Sequence, residues 1–326
     1  MNINYFLIFL ATILLAACTS NQSLNDVPKA PASSFKVIGY YGSWGPRASD
    51  LDLTGLTHIN YSFAIPAKEG NGLEPLSQGE KLKELLDIAH QNGQKVFIAI
   101  GGWSIGDGGG DDTRFHRIAE TEKGREEFSQ AIMKLVEEYN LDGVDMDWEY
   151  PDAGESSDHF AALMESLANE LHSRGKELSA AVISYNSRVG AGIKEEVFAT
   201  ADWINIMAYD DNYNKPEPAP HSPYSLAEKS LNYWIKERGL PVEKAVLGLP
   251  FYGRSEYTGY NKLTEDGADP FKDEHNGIFY NGIETIKAKT RLAHEQGIAG
   301  VMIWEITQDV KGEFSLTRAI NEAIPE

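Results

Sequence analysis

Cysteine is all but missing: the 326 residues contain 1, so no internal disulfide can form and a disulfide-stapled secreted scaffold is excluded. Basic residues are scarce too. There are 29 Lys+Arg against 49 Asp+Glu, a formal charge of -20 and a pI near 4.8. Neutralising phosphates takes a cationic face, so this balance argues against a nucleic-acid partner and, more weakly, against an anionic polymer as substrate. Apolar runs long enough to span a bilayer are lacking; Tyr5–Ala17 (YFLIFLATILLAA) is continuous but falls short of the roughly 20 residues a spanning helix needs. Residues 35–326 hold no internal repeat or low-complexity stretch. What is present is ordinary globular composition: 42% hydrophobic, 10% aromatic, 30 Gly and 14 Pro, which sets aside disorder and fibrous repeats. The length admits two domains or one large α/β barrel.

The apolar run matches the hydrophobic region of a secretory signal peptide. It closes on Leu15-Ala16-Ala17-Cys18, which resembles the lipobox of bacterial lipoproteins. That resemblance implies removal of residues 1–17 and attachment of lipid to Cys18, the chain's sole cysteine. Met1 to Asn4 depart from it in carrying no Lys or Arg, and a plain cleaved signal with an incidental Cys18 is the alternative. Thr19 to Ser34 is polar with Pro and Ala, so residues 18–34 read as a flexible tether. The expected location is the bacterial cell envelope, lipid-anchored at the outer membrane or cell surface. Residues 35–326 are expected to form one domain, and nothing in them demands more than a monomer.

From Phe35 onward, short β-rich apolar runs alternate with helical patterns. The runs are Lys36–Tyr41, Thr57–Phe63, Lys95–Ile100, Gly143–Trp148, Leu178–Ser184, Trp203–Ala208, Ala245–Phe251 and Gly300–Glu305. Apolar residues three and four apart predict helix faces at Leu82, Leu85, Leu86 and Ala89, at Phe128, Ile132, Leu135 and Tyr139, and at Phe160, Leu163, Leu167 and Leu171. Strand–helix alternation implies parallel strands, and eight units in about 290 residues fit a (β/α)8 TIM barrel better than an open doubly wound sheet. The first connection, Gly42 to Leu56, is weak as a helix.

The most informative stretch is Asp142-Gly143-Val144-Asp145-Met146-Asp147-Trp148-Glu149-Tyr150. Side chains alternate across a strand, so Asp145, Asp147 and Glu149 share one face at about 6.5–7 Å per step. Val144, Met146 and Trp148 take the other face and pack on helices, which aims the acids into the barrel. Like charges crowded there push some pKa values up, so one carboxyl can stay protonated beside an ionised neighbour. Glu149, last in the row and nearest the C-terminal mouth, is the expected acid. A Mg2+ site is the competing chemistry, but ligands at i, i+2 and i+4 of one strand splay apart.

These residues resemble the D-G-x-D-x-D-x-E signature of glycoside hydrolase family 18, the chitinases and their relatives. Further segments follow in the family's order: Gly39-Tyr40-Tyr41 through Trp44, His58 to Ala64, Ile100-Gly101-Gly102-Trp103, Met207-Ala208-Tyr209-Asp210, Gly248 to Arg254, and Met302-Ile303-Trp304-Glu305. Ala99 departs from a third strand often written with Ser. The resemblance implies substrate-assisted hydrolysis with retention and no metal or organic cofactor. Glu149 would protonate the glycosidic oxygen while the sugar's own 2-acetamido oxygen attacks the anomeric carbon. Asp147 would hold the acetamido N–H, Asp145 would share charge behind it, Tyr209 would donate to the acetamido oxygen, and Asp210 would help bind the distorted sugar.

By the same resemblance Trp304 forms the floor under the reacting sugar, with Tyr40, Phe63, Trp103 and Met207 completing the pocket. Trp44 and Trp103, just past strand ends, are expected to stack on sugars; core packing is the alternative for each aromatic and for Met207. The run Gly106-Asp107-Gly108-Gly109-Gly110-Asp111-Asp112 is expected to be a loop over the groove. Only Ser255 to Ala299 separates the seventh and eighth strands, with Gly282 to His294 as the barrel helix. That leaves no room for the α+β insertion domain some family members carry, so an open cleft and internal cleavage are expected. The expected partner is an N-acetylglucosamine-containing glycan: chitin, or alternatively the chitobiose core of N-glycans. Trp148 after Asp147, with Trp44, resembles chitinases more than the endoglycosidases. A non-catalytic glycan-binding barrel and a metal-dependent barrel enzyme are the readings from other classes.

Overall fold

The computed structural model describes residues 35–106, 112–186, 188–211 and 218–325. The signal segment, Cys18 and the tether lie outside the described residues, as does most of the glycine run. Among the described residues no helix is long and apolar enough to cross a membrane.

Eight parallel strands close into a barrel in sequence order: β1 (Lys36–Gly42), β2 (His58–Ala64), β3 (Lys95–Gly101), β4 (Gly143–Asp147), β5 (Glu177–Ile183), β6 (Trp203–Met207), β7 (Ala245–Pro250) and β8 (Gly300–Trp304), with β8 pairing back onto β1. The expected runs match these to within a few residues at either end. Val, Ile, Leu and aromatic residues fill them because both strand faces are buried. Register fixes what meets in the interior: Ala99 pairs with Asp145, Gly101 with Asp147, Asp145 with Ser179, and Ala181 with Asn205.

The helices are α1 (Gly79–Gln91), α2 (Thr113–Glu120), α3 (Glu122–Tyr139), α4 (Glu155–His172), α5 (Glu195–Thr200), α6 (Tyr224–Leu231), α7 (Tyr260–Glu265), α8 (Ile283–Glu295) and α9 (Leu316–Ala323). The expected faces of α1 and α4 are buried as read. Burial of each such Leu or Phe is worth about 1.5–3 kcal/mol, so Phe160→Ala on α4 is the single change best placed to loosen that packing. The α3 face packs on the core as expected but is wider than the four residues named. Phe128 and Ile132 are buried, but they continue through Met133 and Val136, while Leu135 and Tyr139 stay half-buried. The apolar stripe there is wider than one row: Val136 is buried, and Leu135 and Tyr139 pack on the same core from its edge.

The first connection forms only a 3-10 turn at Ala48–Asp50. Between β7 and α8 the chain makes two miniature strand pairs, Tyr252–Gly253 with Thr258–Gly259 and Glu274–His275 with Ile278–Phe279, and the short α7. No α+β domain is inserted there. The main core lies between strands and helices. A smaller cluster of Ile38, Tyr40, Phe97, Ala99, Trp203, Val246, Ala299 and Met302 fills the barrel interior, and Phe63, Met207, Tyr209 and Trp304 pack on it. That plug leaves the C-terminal mouth as the open face.

Candidate active site

β4 aims Asp145 and Asp147 into the barrel, and Glu149 follows two residues past the strand end. They are 0%, 3% and 7% exposed, so all three carboxyls are out of bulk water. Asp145 is held from three strands: Tyr40 Oη donates to Oδ2 at 2.5 Å, Ser179 Oγ to Oδ1 at 2.6 Å and Asn205 Nδ2 to Oδ1 at 2.9 Å. Burial raises its pKa and those hydrogen bonds oppose the rise. Asp147 has no such set. Its Oδ1 is buried with no hydrogen-bond partner among the described residues. Burial, then the charges of Glu149 and Asp145, push its carboxyl well above the usual range. Burial also pushes Glu149 up to about 7, with Asp210 adding repulsion and a hydrogen bond from Tyr150 opposing. A buried row of acids therefore ends in a carboxyl poised to give up a proton near neutrality.

The third strand makes room for this row by ending in Gly101, with Gly102 just past it. Gly101 and Gly102 have φ of +113° and +85°, and a Cβ on Gly101 would sit 2.3 Å from Asp147 O. Opposite, β6 ends at Met207, so Tyr209 and Asp210 lie just past the barrel ladder. Burial, then the Asp147 charge, raises the Tyr209 phenol well above its usual value and keeps it a donor. Asp210 adopts φ 60°, which Asp tolerates. Arg254 grips it through two bonds, Nε to Oδ1 at 2.9 Å and a terminal nitrogen to Oδ2 at 2.7 Å. Tyr252 Oη donates to Oδ1 at 2.8 Å, and His221 Nδ1 lies 3.2 Å from the same oxygen. Burial alone would raise this carboxyl, but the His221 and Arg254 contacts outweigh it and hold Asp210 well below the carboxylate range.

Aromatic rings converge above the acids. Trp304 stacks on Phe63 with centroids 5.9 Å apart and tilts against Tyr40 at 5.4 Å and Trp44 at 6.3 Å. Trp44 is 60% exposed and Trp103 47%, the profile of rings offered to a ligand rather than to a core. Tyr40 is fully buried within the interior cluster, and Met207 packs on that cluster as Phe63, Tyr209 and Trp304 do. Trp148 faces away: it stacks on Phe115 at 4.9 Å, and its indole N–H donates to Asp112 at 2.9 Å. Any bearing it has on substrate choice therefore acts through packing.

Several site residues had no role in the sequence reading. Tyr150 donates to Glu149, Tyr257 stacks on Tyr252 at 4.5 Å, and Ser179, Asn205, His221, Tyr252 and Arg254 position the acids. The run Gly248 to Arg254 contained two of them, but nothing in its spacing named Asp210 as their partner. Among the described residues no group of three or more His, Cys, Asp or Glu converges as a cation site.

The family model for glycosyl hydrolases family 18 matches residues 36–309. A probable chitinase 10 from Drosophila melanogaster is 30% identical over 86% of this chain, and chitinase A1 from Niallia circulans is 25% identical over 91%. The chain spans 13% and 60% of those two relatives, less than two thirds of either. The crystal structure of a GH18 chitinase from the chitin utilization locus of Flavobacterium johnsoniae is 29% identical, with a TM-score of 0.76 over 89% of this chain and 94% of that one. With the closed barrel, its row of carboxyls and a match spanning most of the sequence, the chain belongs to glycosyl hydrolase family 18.

Proposed function

We propose that the protein is an endo-acting, retaining glycosidase that cleaves β-1,4 linkages between N-acetylglucosamine units of chitin or chito-oligosaccharides, with the substrate's own acetamido group as nucleophile. The observation that carries this reading is the pairing of Glu149, poised near 7, with Asp147, whose buried Oδ1 has no partner among the described residues. An acid and a free acceptor side by side suit a sugar that bears both a leaving oxygen and an N–H. Asp210 is an unsuitable nucleophile, because Arg254 and Tyr252 occupy its two oxygens.

In the first step Glu149 transfers its proton to the glycosidic oxygen, and the bond to the anomeric carbon breaks as the leaving sugar departs as an alcohol. The acetamido oxygen bonds to that carbon from the opposite face and gives an oxazolinium ion. Asp147 accepts the acetamido N–H at the Oδ1 that has no partner among the described residues, while Tyr209 donates to the acetamido oxygen and holds it in line. Water then opens the ring, and Glu149 takes back a proton. Two inversions leave the β configuration. Trp304, Phe63 and Trp44 supply apolar faces for the sugar. The β7–α8 connection holds only two miniature strand pairs and α7, with no α+β domain to wall the mouth, which supports the reading of internal cleavage.

The test is mass spectrometry of products from chitopentaose and, separately, from a high-mannose glycopeptide, with Glu149→Gln beside both. Dimer and trimer from the oligomer alone are expected. Release of the glycan with one N-acetylglucosamine left on the peptide would shift the substrate to N-glycans. No cleavage of either would overturn the reading.

A further inference from the structure

Lys289 sits on the inner face of α8 at 0% exposure, and no step of the proposed chemistry uses it. Its ammonium donates to three neutral oxygens: Ser222 O at 2.6 Å, Ser222 Oγ at 2.7 Å and Asn281 Oδ1 at 2.6 Å. Asn281 Nδ2 completes the ring by donating to Ser222 O at 2.9 Å. Burial pushes the amine down to about 7, opposed by the charge of Asp273. A cation sunk among neutral oxygens is a costly way to pack a helix, since an apolar chain of the same length would fill the space without desolvation.

What the ammonium holds is Ser222, and Ser222 leads straight to the cleft. Ser222 Oγ donates to Ala208 O at 2.7 Å, immediately before Tyr209. Its neighbour His221 has Nδ1 3.2 Å from Asp210 Oδ1 and Nε2 3.2 Å from Tyr252 O, and its carbonyl accepts from the Asp211 N–H at 2.9 Å. His221 and Ser222 thus brace the backbone on both sides of Tyr209 and Asp210. The barrel register ends at Met207 on this strand, so these bonds stand in place of a ladder.

We propose that Lys289 is a positioning residue that fixes Tyr209 and Asp210 through Ser222 and His221; the catalytic consequence rests on the role proposed for Tyr209. Geometry at the reacting carbon depends on sub-ångström placement, so loosening this brace slows the chemical step and spares substrate capture at the exposed aromatics.

The experiment compares Lys289→Met with the wild-type protein and with Arg291→Met on the exposed face of α8, using chitopentaose. The expected result is kcat lower by about tenfold and KM within about twofold, with a modest fall in Tm, because relief of the buried amine offsets only part of the cost of leaving Asn281 Oδ1 without its donor. A kcat within twofold of wild type overturns the proposal. So does a loss of kcat accompanied by a comparable rise in KM, the mark of a general loss of packing. Should Lys289→Met fail to fold, Ser222→Ala decides: the same fall in kcat at unchanged KM supports the brace, and wild-type kcat overturns it. A wild-type protein inactive on chitopentaose would defeat the function proposed above, and hydrogen exchange then reads the brace directly. Faster exchange at residues 208–211 in Lys289→Met, with β1–β4 unchanged, supports it, and unchanged exchange at 208–211 overturns it.

Discussion

Tyr40 on β1 and Asp145 on β4 meet in the barrel interior, the phenol donating to Oδ2 at 2.5 Å with both residues buried. The bond ties the strand under the Trp304 floor to the strand that bears the acids. Ser179 and Asn205 hold the other oxygen. Asp145 is thereby fixed in place beneath Asp147, and its charge adds to the burial that pushes the Asp147 carboxyl up.

Breaking that bond has a stated cost. Tyr40→Phe leaves a buried carboxyl oxygen without its donor, and we expect a stability loss of about 1–3 kcal/mol by chemical denaturation. Because the lost hydrogen bond favoured the charged form, Asp145 should bind its proton more tightly, and kcat should fall by roughly tenfold. Unchanged stability and kcat would show that the contact is idle.

Activity should track the protonation of Glu149. The acid form is the reactive one, so kcat/KM is expected to decline as pH rises through about 7, where burial has placed this group. A plateau extending unbroken to pH 9 would contradict the assignment.

Stability carries the same signature with its own sign. Glu149 binds a proton more tightly folded than unfolded, its ordinary value being 4.5 and its folded value about 7. Below 4.5 both states are protonated and the group costs nothing; between 4.5 and about 7 the unfolded chain has released the proton that the folded one still holds, so stability falls by up to about 3 kcal/mol and levels off above 7. Glu149→Gln removes that cost, so its gain in Tm should be larger at pH 8 than at pH 5, together with loss of at least about a thousandfold in kcat and retained sugar binding. An equal Tm difference at the two pH values would contradict the burial account.

Trp44 is the ring to test for sugar stacking. Exposed, and 6.3 Å from Trp304, it contributes little to the core. Trp44→Ala should raise KM for chito-oligosaccharides by roughly tenfold and leave Tm unchanged. A drop in Tm with unaltered KM would reassign the ring to packing.

Cys18 is proposed as the lipid attachment point on sequence grounds. Expressed in a bacterial host with its leader, the protein should incorporate labelled palmitate and partition into detergent, and Cys18→Ser should do neither. Labelling that persists in Cys18→Ser would refute the anchor.

How much of this was legible in the sequence follows the range of the interactions. The strands could be read because each is a run buried on both faces, and the acids because their period of two is local to β4. Closure of the barrel, by contrast, rests on β1 meeting β8, a pairing that periodicity cannot express. The partners of the acids were illegible for the same reason. Asp210 is gripped from Tyr252, Arg254 and His221, and Asp145 from Tyr40, Ser179 and Asn205, contacts that exist only once separate strands are in register. Lys289 reads in the sequence as an ordinary exposed helix lysine between Ala288 and Thr290, and only the packing of α8 reveals it as buried. The α3 face shows the limit on the local side: a wide apolar stripe fits more than one row, and burial of Met133 and Val136 beside Phe128 and Ile132 emerges only on packing.

The central claim, attack by the substrate's own acetamido group, leaves a stereochemical record in the first product. Proton NMR of chitopentaose hydrolysis, followed before mutarotation, should show the β-anomer forming first. An initial α-anomer would mean a single inversion by water and would contradict the account.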